Sequence, residues 1–178
     1  VTVRMISDKQ ELVPSQLELK LMDFKGNIRW DEKRFVNVKS GMNKIIEKVD
    51  KRMVLADDTQ HKSLVFSARV IVDDEAVAQN LLYFKNSKDL ALENPELSYE
   101  ITAHQDGYNI ILTTKRLAKN VFISFENCDS RDIQLSDNFF DMLPGTTATI
   151  FVKTKESADD LRKMIRIKTL FDVFNKKN

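Results

Sequence analysis

The chain is poor in the residues that usually mark turns and cross-links. Its 178 residues include four glycines, three prolines and one cysteine, where average usage would give about 12 glycines and about 9 prolines. This scarcity excludes low-complexity, collagen-like and Gly/Ser-linker sequences. A single cysteine, Cys128, excludes an intramolecular disulfide framework, and we expect it to be a small, half-buried residue.

Neither sign of charge is in excess, because 28 Lys and Arg stand against 27 Asp and Glu. Binding to nucleic acid or to an anionic membrane requires clustered positive charge, so we expect neither partner. No apolar run approaches the roughly 20 residues of a membrane span. The sequence begins with Val1 rather than Met, and we expect an excised or processed fragment of a soluble globular protein.

Alternation of apolar and charged residues predicts strands in the first half. Leu17, Leu19 and Leu21 share one face, and the alternation resumes at Ile28 and Trp30 after a turn at Gly26. Further strands are predicted over 35–38 and in a hairpin of 63–72 with 77–84, while 43–49 fits a strand or a helical turn.

The segment 85–97 has no periodicity and is interpreted as a linker. Beyond it the pattern predicts an Asp106-Gly107 hairpin turn and one exposed helical turn over 156–163. Strands are predicted over 97–103, 108–114, 121–125, 133–135, 146–152 and 164–170. This density of short strands predicts an all-β protein made of two β-sandwiches.

The sequence shows no catalytic constellation. His61, His104 and Cys128 lie in separate predicted elements, so we expect no metal and no cofactor. Isolated glycines exclude a phosphate loop, a dinucleotide motif and a nucleophile elbow. Adjacent carboxylates and His61 fall in polar loops, and His104 precedes the Asp106-Gly107 turn, so we expect all of them to be solvated. Four aromatic side chains are candidate sugar-stacking platforms, although packing is the favoured interpretation: Trp30, Tyr83, Tyr99 and Tyr108.

Three segments are more specific than these patterns. Residues 117–124 (LAKNVFIS) followed by 135–145 (LSDNFFDMLPG) resemble the signature of the C-terminal immunoglobulin-like domain of glycoside hydrolase family 2 β-mannosidases. Residues 17–30 resemble a hairpin of the preceding domain, and 83–90 resemble the junction between the two. The motif positions are Asp23, Phe24, Gly26, Trp30, Asp137, Asn138, Phe139, Phe140, Asp141, Leu143, Pro144 and Gly145.

The resemblance implies two immunoglobulin-like β-sandwich domains in tandem, over 1–88 and 89–178, and a structural role for the motif. We expect Phe139 and Phe140 to anchor the core between the sheets, and Pro144 and Gly145 to form a turn. In this family the two catalytic glutamates lie on a separate (β/α)₈ barrel, so no catalytic residue is assigned to this chain.

The function implied by the resemblance is that of a non-catalytic C-terminal accessory region of a β-mannosidase-like retaining glycoside hydrolase. Its expected partner is the catalytic barrel of the same polypeptide, and the parent is expected to be a periplasmic or secreted enzyme. One alternative is a carbohydrate-binding module that binds an oligosaccharide on Trp30, Tyr99 or Tyr108. Another is an adhesion-type pair of immunoglobulin-like domains.

Overall fold

The computed structural model describes residues 1–8, 10–39, 41–50, 58–127 and 133–175. Contacts divide the chain into two compact units. Unit 1 comprises Val1–Asp23 and Asn27–Ala91, and unit 2 comprises Phe24–Gly26 and Leu92–Asn178. A domain boundary between residues 88 and 89 stays a prediction. The described residues form thirteen strands and two short α-helices, so the all-β prediction is confirmed.

The described residues of unit 1 form six strands in two antiparallel sheets. A four-stranded sheet has the order β3-β2-β5-β6, and a two-stranded sheet pairs β1 with β4. The strands are β1 (Thr2–Ser7), β2 (Val13–Asp23), β3 (Ile28–Val38), β4 (Met42–Lys48), β5 (Leu64–Val72) and β6 (Glu75–Tyr83), with 3-10 turns at Asp58–Ser63 and Ser87–Asp89.

The core of unit 1 is built on the leucine face of β2. Leu17, Leu19 and Leu21 are each 1% exposed. They pack with Phe66 of β5, and residues of β1 and β4 pack against the same cluster. The period of two in the sequence therefore identifies the buried face correctly.

The structure of unit 1 corrects three sequence predictions and resolves one ambiguous segment. β3 runs unbroken from Ile28 to Val38, because β2 offers a pairing partner along its whole length. The ambiguous segment 43–49 is mostly strand β4, and β1 was not predicted at all. His61, expected in solvent, is 5% exposed, with its ring 5.8 Å from that of Phe84.

Unit 2 is a second antiparallel sandwich, with sheets of order β10-β12-β8-β7 and β11-β9-β13. Its elements are β7 (Ser98–His104), β8 (Gly107–Thr113), β9 (Ala118–Phe125), β10 (Gln134–Leu135), β11 (Phe140–Met142), β12 (Thr147–Lys153), α1 (Ala158–Met164), β13 (Ile165–Lys168) and α2 (Leu170–Phe174). Both sheets contribute to one buried cluster that includes Ile110, Ile123 and Val152.

The helices of unit 2 depart most from expectation. The predicted exposed turn is the helix α1, which begins at an N-cap where Ser157 Oγ accepts from Asp160 N at 3.2 Å. This helix fully buries Leu161. The helix α2 was not predicted, and it begins with a capping box between Thr169 and Asp172. Cys128 lies outside the described residues. Neither of the helices described here is long and apolar enough to cross a membrane.

Candidate functional site

The motif segment of unit 2 passes from one sheet to the other. β10 pairs with β12, and β11, a few residues later, pairs with β9. Ser136 ends the first pairing: its N donates to Phe151 O at 2.9 Å, and its Oγ accepts from Phe151 N at 2.9 Å. The crossing between the sheets therefore occupies residues 137–139.

Asn138 takes the place of a strand neighbour for β9. Its Oδ1 accepts from Ile123 N at 2.9 Å, and its Nδ2 donates to Ile123 O at 2.8 Å. A side-chain amide carries the same donor and acceptor as a peptide group, so it can satisfy both backbone groups of one strand residue. Asp137 contributes more locally, since its Oδ1 accepts from Asn138 N at 2.7 Å.

Asp141 holds the other end of the crossing. Its Oδ1 accepts from Asn120 N at 2.7 Å, and its Oδ2 accepts from Lys119 Nζ at 3.2 Å. Asn120 has a φ of +51°, a left-handed conformation that asparagine tolerates better than most residues. The carboxylate of Asp141 thus stabilises a strained residue of β9.

The two phenylalanines of the motif have different surroundings. Phe139 is 69% exposed, so the expectation that it anchors the core is wrong. Its backbone is left-handed, with a φ of +62°, and its ring stacks on that of Phe122 with centroids 4.5 Å apart. The sequence pattern could not reveal the exposure of Phe139, because a residue with a left-handed backbone interrupts the alternation of side chains between the two faces of a strand. Phe140 is half-buried and packs against the core cluster as expected.

Replacing Phe140 with alanine should lower the free energy of unfolding of unit 2 by about 2 kcal/mol, less than for a fully buried phenylalanine. Phe139→Ala is the matched control, and it should cost less than about 1 kcal/mol because its ring is mostly in water. Urea denaturation of both variants measures the difference. Equal losses would contradict the assignment of Phe140 to the core.

The motif ends in a tight turn. Leu143 O accepts from Thr146 N at 3.2 Å and from Thr146 Oγ1 at 2.7 Å. Between them lie Pro144 and Gly145, the latter with a φ of +71°. Proline followed by a left-handed glycine is the preferred sequence of a type II turn.

The hairpin motif near residue 25 is also held by side chains. Asp23 Oδ1 accepts from Asn27 N at 3.0 Å, and its Oδ2 accepts from Asn27 Nδ2 at 2.8 Å. Gly26 has a φ of +94°. Phe24 is buried, and both Phe24 and Gly26 group with unit 2.

Trp30 packs against the core of unit 1. It is half-buried, and its ring stacks on that of Phe66 with centroids 6.2 Å apart. The structure therefore favours the packing interpretation of this residue over a sugar platform. Tyr108 likewise packs against the core of unit 2, and Tyr83 is half-buried, whereas Tyr99 is 41% exposed.

Phe35 is an exposed aromatic that the sequence reasoning did not consider as a platform. It is 90% exposed, and it pairs across the strands with Gln16, on the face of β2 opposite the leucines. The sequence did contain a signal for this exposure. Alternation in a strand places Phe35 on the face opposite Val36 and Val38.

The same outer face of the unit 1 sheet carries a buried carboxylate. Glu18 is 4% exposed, and its oxygens lie 3.0 Å from Lys20 Nζ, 3.1 Å from Lys33 Nζ and 3.4 Å from Arg69 Nη1. Burial raises the pKa of Glu18, but hydrogen bonds from the two lysines and their charges outweigh it, so the pKa lies below its ordinary value. A general acid needs the opposite shift, so this cluster is built for structure rather than proton donation.

Substituting Glu18 with Gln should destabilise unit 1 by about 1 to 2 kcal/mol near neutral pH, since it removes charge-assisted hydrogen bonds. Because folding lowers the pKa of Glu18, its carboxylate stabilises the fold fully when the pH is above about 4.5, the pKa expected in the unfolded chain. This contribution is lost as the pH falls and the carboxylate becomes protonated. The gap between wild type and Glu18→Gln should therefore shrink as the pH falls below 4.5. Denaturation across this range measures it, and a constant gap would contradict the assignment.

Within the described parts of the chain, no group of three or more His, Cys, Asp or Glu side chains is arranged to hold a metal ion. The polar side chains of both motifs instead bind backbone groups of the chain itself. A structural role for the motif residues stays a prediction.

The fold defines a class: β-sandwich domains in tandem. Residues 1–89 match the family of the mannosidase Ig/CBM-like domain, and residues 92–173 match the Ig-fold domain of mannosidases. The chain belongs to the mannosidase Ig/CBM-like domain family. The predicted pair of immunoglobulin-like domains and the predicted resemblance are both confirmed.

Solved structures share the fold at low sequence identity. The β-D-mannosidase from Dictyoglomus thermophilum is 19% identical with a TM-score of 0.74, over 94% of this chain and 20% of that one. The exo-chitosanase CsxA from Amycolatopsis orientalis is 15% identical with a TM-score of 0.62, over 95% and 24%. The chain thus spans about a fifth to a quarter of these proteins. The comparison with curated proteins gave no match.

Proposed function

We propose that this chain is the non-catalytic accessory region of a β-mannosidase-like retaining glycoside hydrolase of family 2, and that it supports the catalytic (β/α)₈ barrel of the same polypeptide. The match to the mannosidase Ig/CBM-like domain family supports an accessory region of a glycoside hydrolase. The main structural support for a non-catalytic role is that the motif side chains of Asn138 and Asp141 bind backbone groups of β9. Residues committed to backbone support are not positioned to act on a substrate.

The physical role of such a region is to supply folded surface against which a barrel packs. Interfaces between domains of one chain bury surface that stabilises both partners. Loss of the accessory region should therefore lower the stability of the parent enzyme more than its affinity for substrate.

The test compares three proteins: the complete enzyme encoded by the gene, the same enzyme ending before Val1, and this chain alone. We expect p-nitrophenyl β-D-mannoside to be hydrolysed by the complete enzyme and not by this chain. The shortened enzyme should lose activity at a lower temperature with little change in KM. Hydrolysis by the isolated chain that persists through purification, or a gene without a barrel, would overturn the proposal.

Carbohydrate binding is the second candidate, favoured by the exposed rings of Tyr99 and Phe35. Flat aromatic faces on a sheet stack against the apolar faces of sugars. Titration with manno-oligosaccharides, followed by amide chemical shifts, should show changes around these two rings. Tyr99→Ala and Phe35→Ala should abolish any such shift, and no shift with millimolar ligand would exclude this candidate.

A further inference from the structure

The two sheets of unit 1 are unequal in width. The inward residues of β5 lie beside exposed residues of β6: Phe66 pairs with Leu82, Ala68 with Asn80 and Val70 with Ala78. Phe66 belongs to the core, and Ala68 and Val70 pack against it, yet all three residues of β6 are exposed. The inner face of β6 therefore has no covering strand among the described residues.

An open groove runs along this uncovered face. One part has a volume of about 340 Å³ and lies between residues 1–6 of the β1 region and residues 78–82 of β6. A second part of about 360 Å³ shares Met5, Ile6, Val70 and Ala78 with it. We call the two together the β1–β6 groove. Three of the exposed large apolar side chains line it, namely Ile6, Val77 and Leu82.

One edge of the strand β1 lies beside this groove. Within the described residues β1 pairs only with β4, so about half of the backbone N–H and C=O groups of Thr2–Ile6 point away from any described strand. We call this edge of Thr2–Ile6 the free edge of β1. A strand with a free edge accepts another strand by main-chain hydrogen bonds. The free edge of β1 and the apolar residues of the groove together provide the contacts that one additional β-strand would need.

We propose that the β1–β6 groove receives one further β-strand, hydrogen-bonded to the free edge of β1. We propose as its occupant the polypeptide that leads into Val1 in the longer enzyme, an assignment that rests on the proposed function. Neighbouring strands lie about 4.8 Å apart and packed sheets about 10 Å apart, so a strand beside β1 lies over β5 and β6. Unit 1 has six described strands, and the constant-type immunoglobulin sandwich has about seven.

One observation and one geometric argument favour this occupant over a separate molecule. The chain spans 20% and 24% of the two solved relatives, so proteins of that kind contain polypeptide beyond the matched part. A segment that turns sharply into Val1 would also run antiparallel to β1 without a long connection. Its alternate side chains, facing Val70 and Ala78, should be apolar.

The test compares this chain with the same chain extended by the roughly twelve residues that the gene encodes before Val1, enough for one strand and a turn. We expect exchange of the β1 amides that face the groove to slow by at least about 100-fold in the extended chain. The 178-residue chain should be monomeric by light scattering.

A pair of variants isolates the groove. Ala78 faces it and is exposed, so Ala78→Lys should leave the original chain unchanged but abolish the added protection in the extended chain. Asn37 is exposed on the outer face of β3, where it pairs with Pro14, and it does not line the groove, so Asn37→Lys should have no effect in either chain.

Three results would overturn the proposal: no added protection in the extended chain, added protection that survives Ala78→Lys, or a dimer of the original chain with β1 already protected. The last would assign the groove to a second copy. Protection without a barrel encoded upstream would instead support the added strand and refute the proposed function, so the two failures are distinguishable.

Discussion

Replacing Gly107 with alanine is expected to lower the free energy of unfolding of unit 2 by about 4 kcal/mol or more. Gly107 has a φ of +153° at the start of β8, and a Cβ there would lie 2.1 Å from Val152 O and 3.1 Å from Val152 C. The atoms in the way are backbone atoms of β12, which pairs with β8 through Tyr108 and Val152. Relieving this clash therefore requires β8 and β12, the central strand pair of the sheet, to separate locally.

Gly145→Ala is the matched control for Gly107→Ala. Gly145 has a φ of +71°, but a Cβ added there would meet no atom within 4 Å. It should cost only the strain of a left-handed alanine, about 1 to 2 kcal/mol. Urea denaturation, with hydrogen exchange of peptides from β8 and β12, measures both variants. Similar losses in the two would mean that strain, rather than the clash with Val152, explains the requirement for glycine.

Asn138→Ala is expected to cost about 3 kcal/mol, because it leaves two buried backbone groups without partners, each worth about 1 to 3 kcal/mol. Those groups are the N–H and C=O of Ile123, which is 2% exposed. Thermal and urea unfolding measure the loss. Asp137→Ala, one residue away, removes only a local hydrogen bond and should cost less than about 1 kcal/mol.

Asn138→Asp distinguishes the amide donor from the shape of the side chain. An ionised carboxylate facing Ile123 O cannot donate, so this variant should be at least as unstable as Asn138→Ala near neutral pH. Its folded-state pKa should be raised, so stability should return as the pH falls and the carboxyl group becomes protonated. A variant whose stability does not rise in acid would contradict the role assigned to Nδ2.

The strands and buried faces that follow a regular alternation of apolar and polar residues could be predicted from the sequence. The leucines of β2 alternate over a long strand, so their buried face and the following hairpin were predictable. The motif residues could be located by resemblance, but their contacts could not, since Asn138 and Asp141 bind residues 15 and 21 positions away. Phe139 was misplaced because its left-handed backbone breaks the alternation.

Other differences arise from tertiary contacts. His61 lies in a polar stretch of sequence, yet packing against Phe84 buries it. Glu18 has the pattern of a solvent-facing charge between leucines, and the cations on neighbouring strands cover it. In both cases local composition predicts exposure, while neighbours distant in sequence decide the outcome.

The free edge of β1 along Thr2–Ile6 also affects how this protein behaves in concentrated solution. Edge strands usually resist self-association through charged side chains, prolines or bulges. Between Thr2 and Ser7 the only charged residue is Arg4, and its guanidinium already donates to Asn43 Oδ1 at 2.7 Å. With apolar Ile6 exposed on the same strand, β1 is the segment from which aggregation of the isolated chain should begin. Ile6→Lys is thus the simplest substitution for improving its solubility.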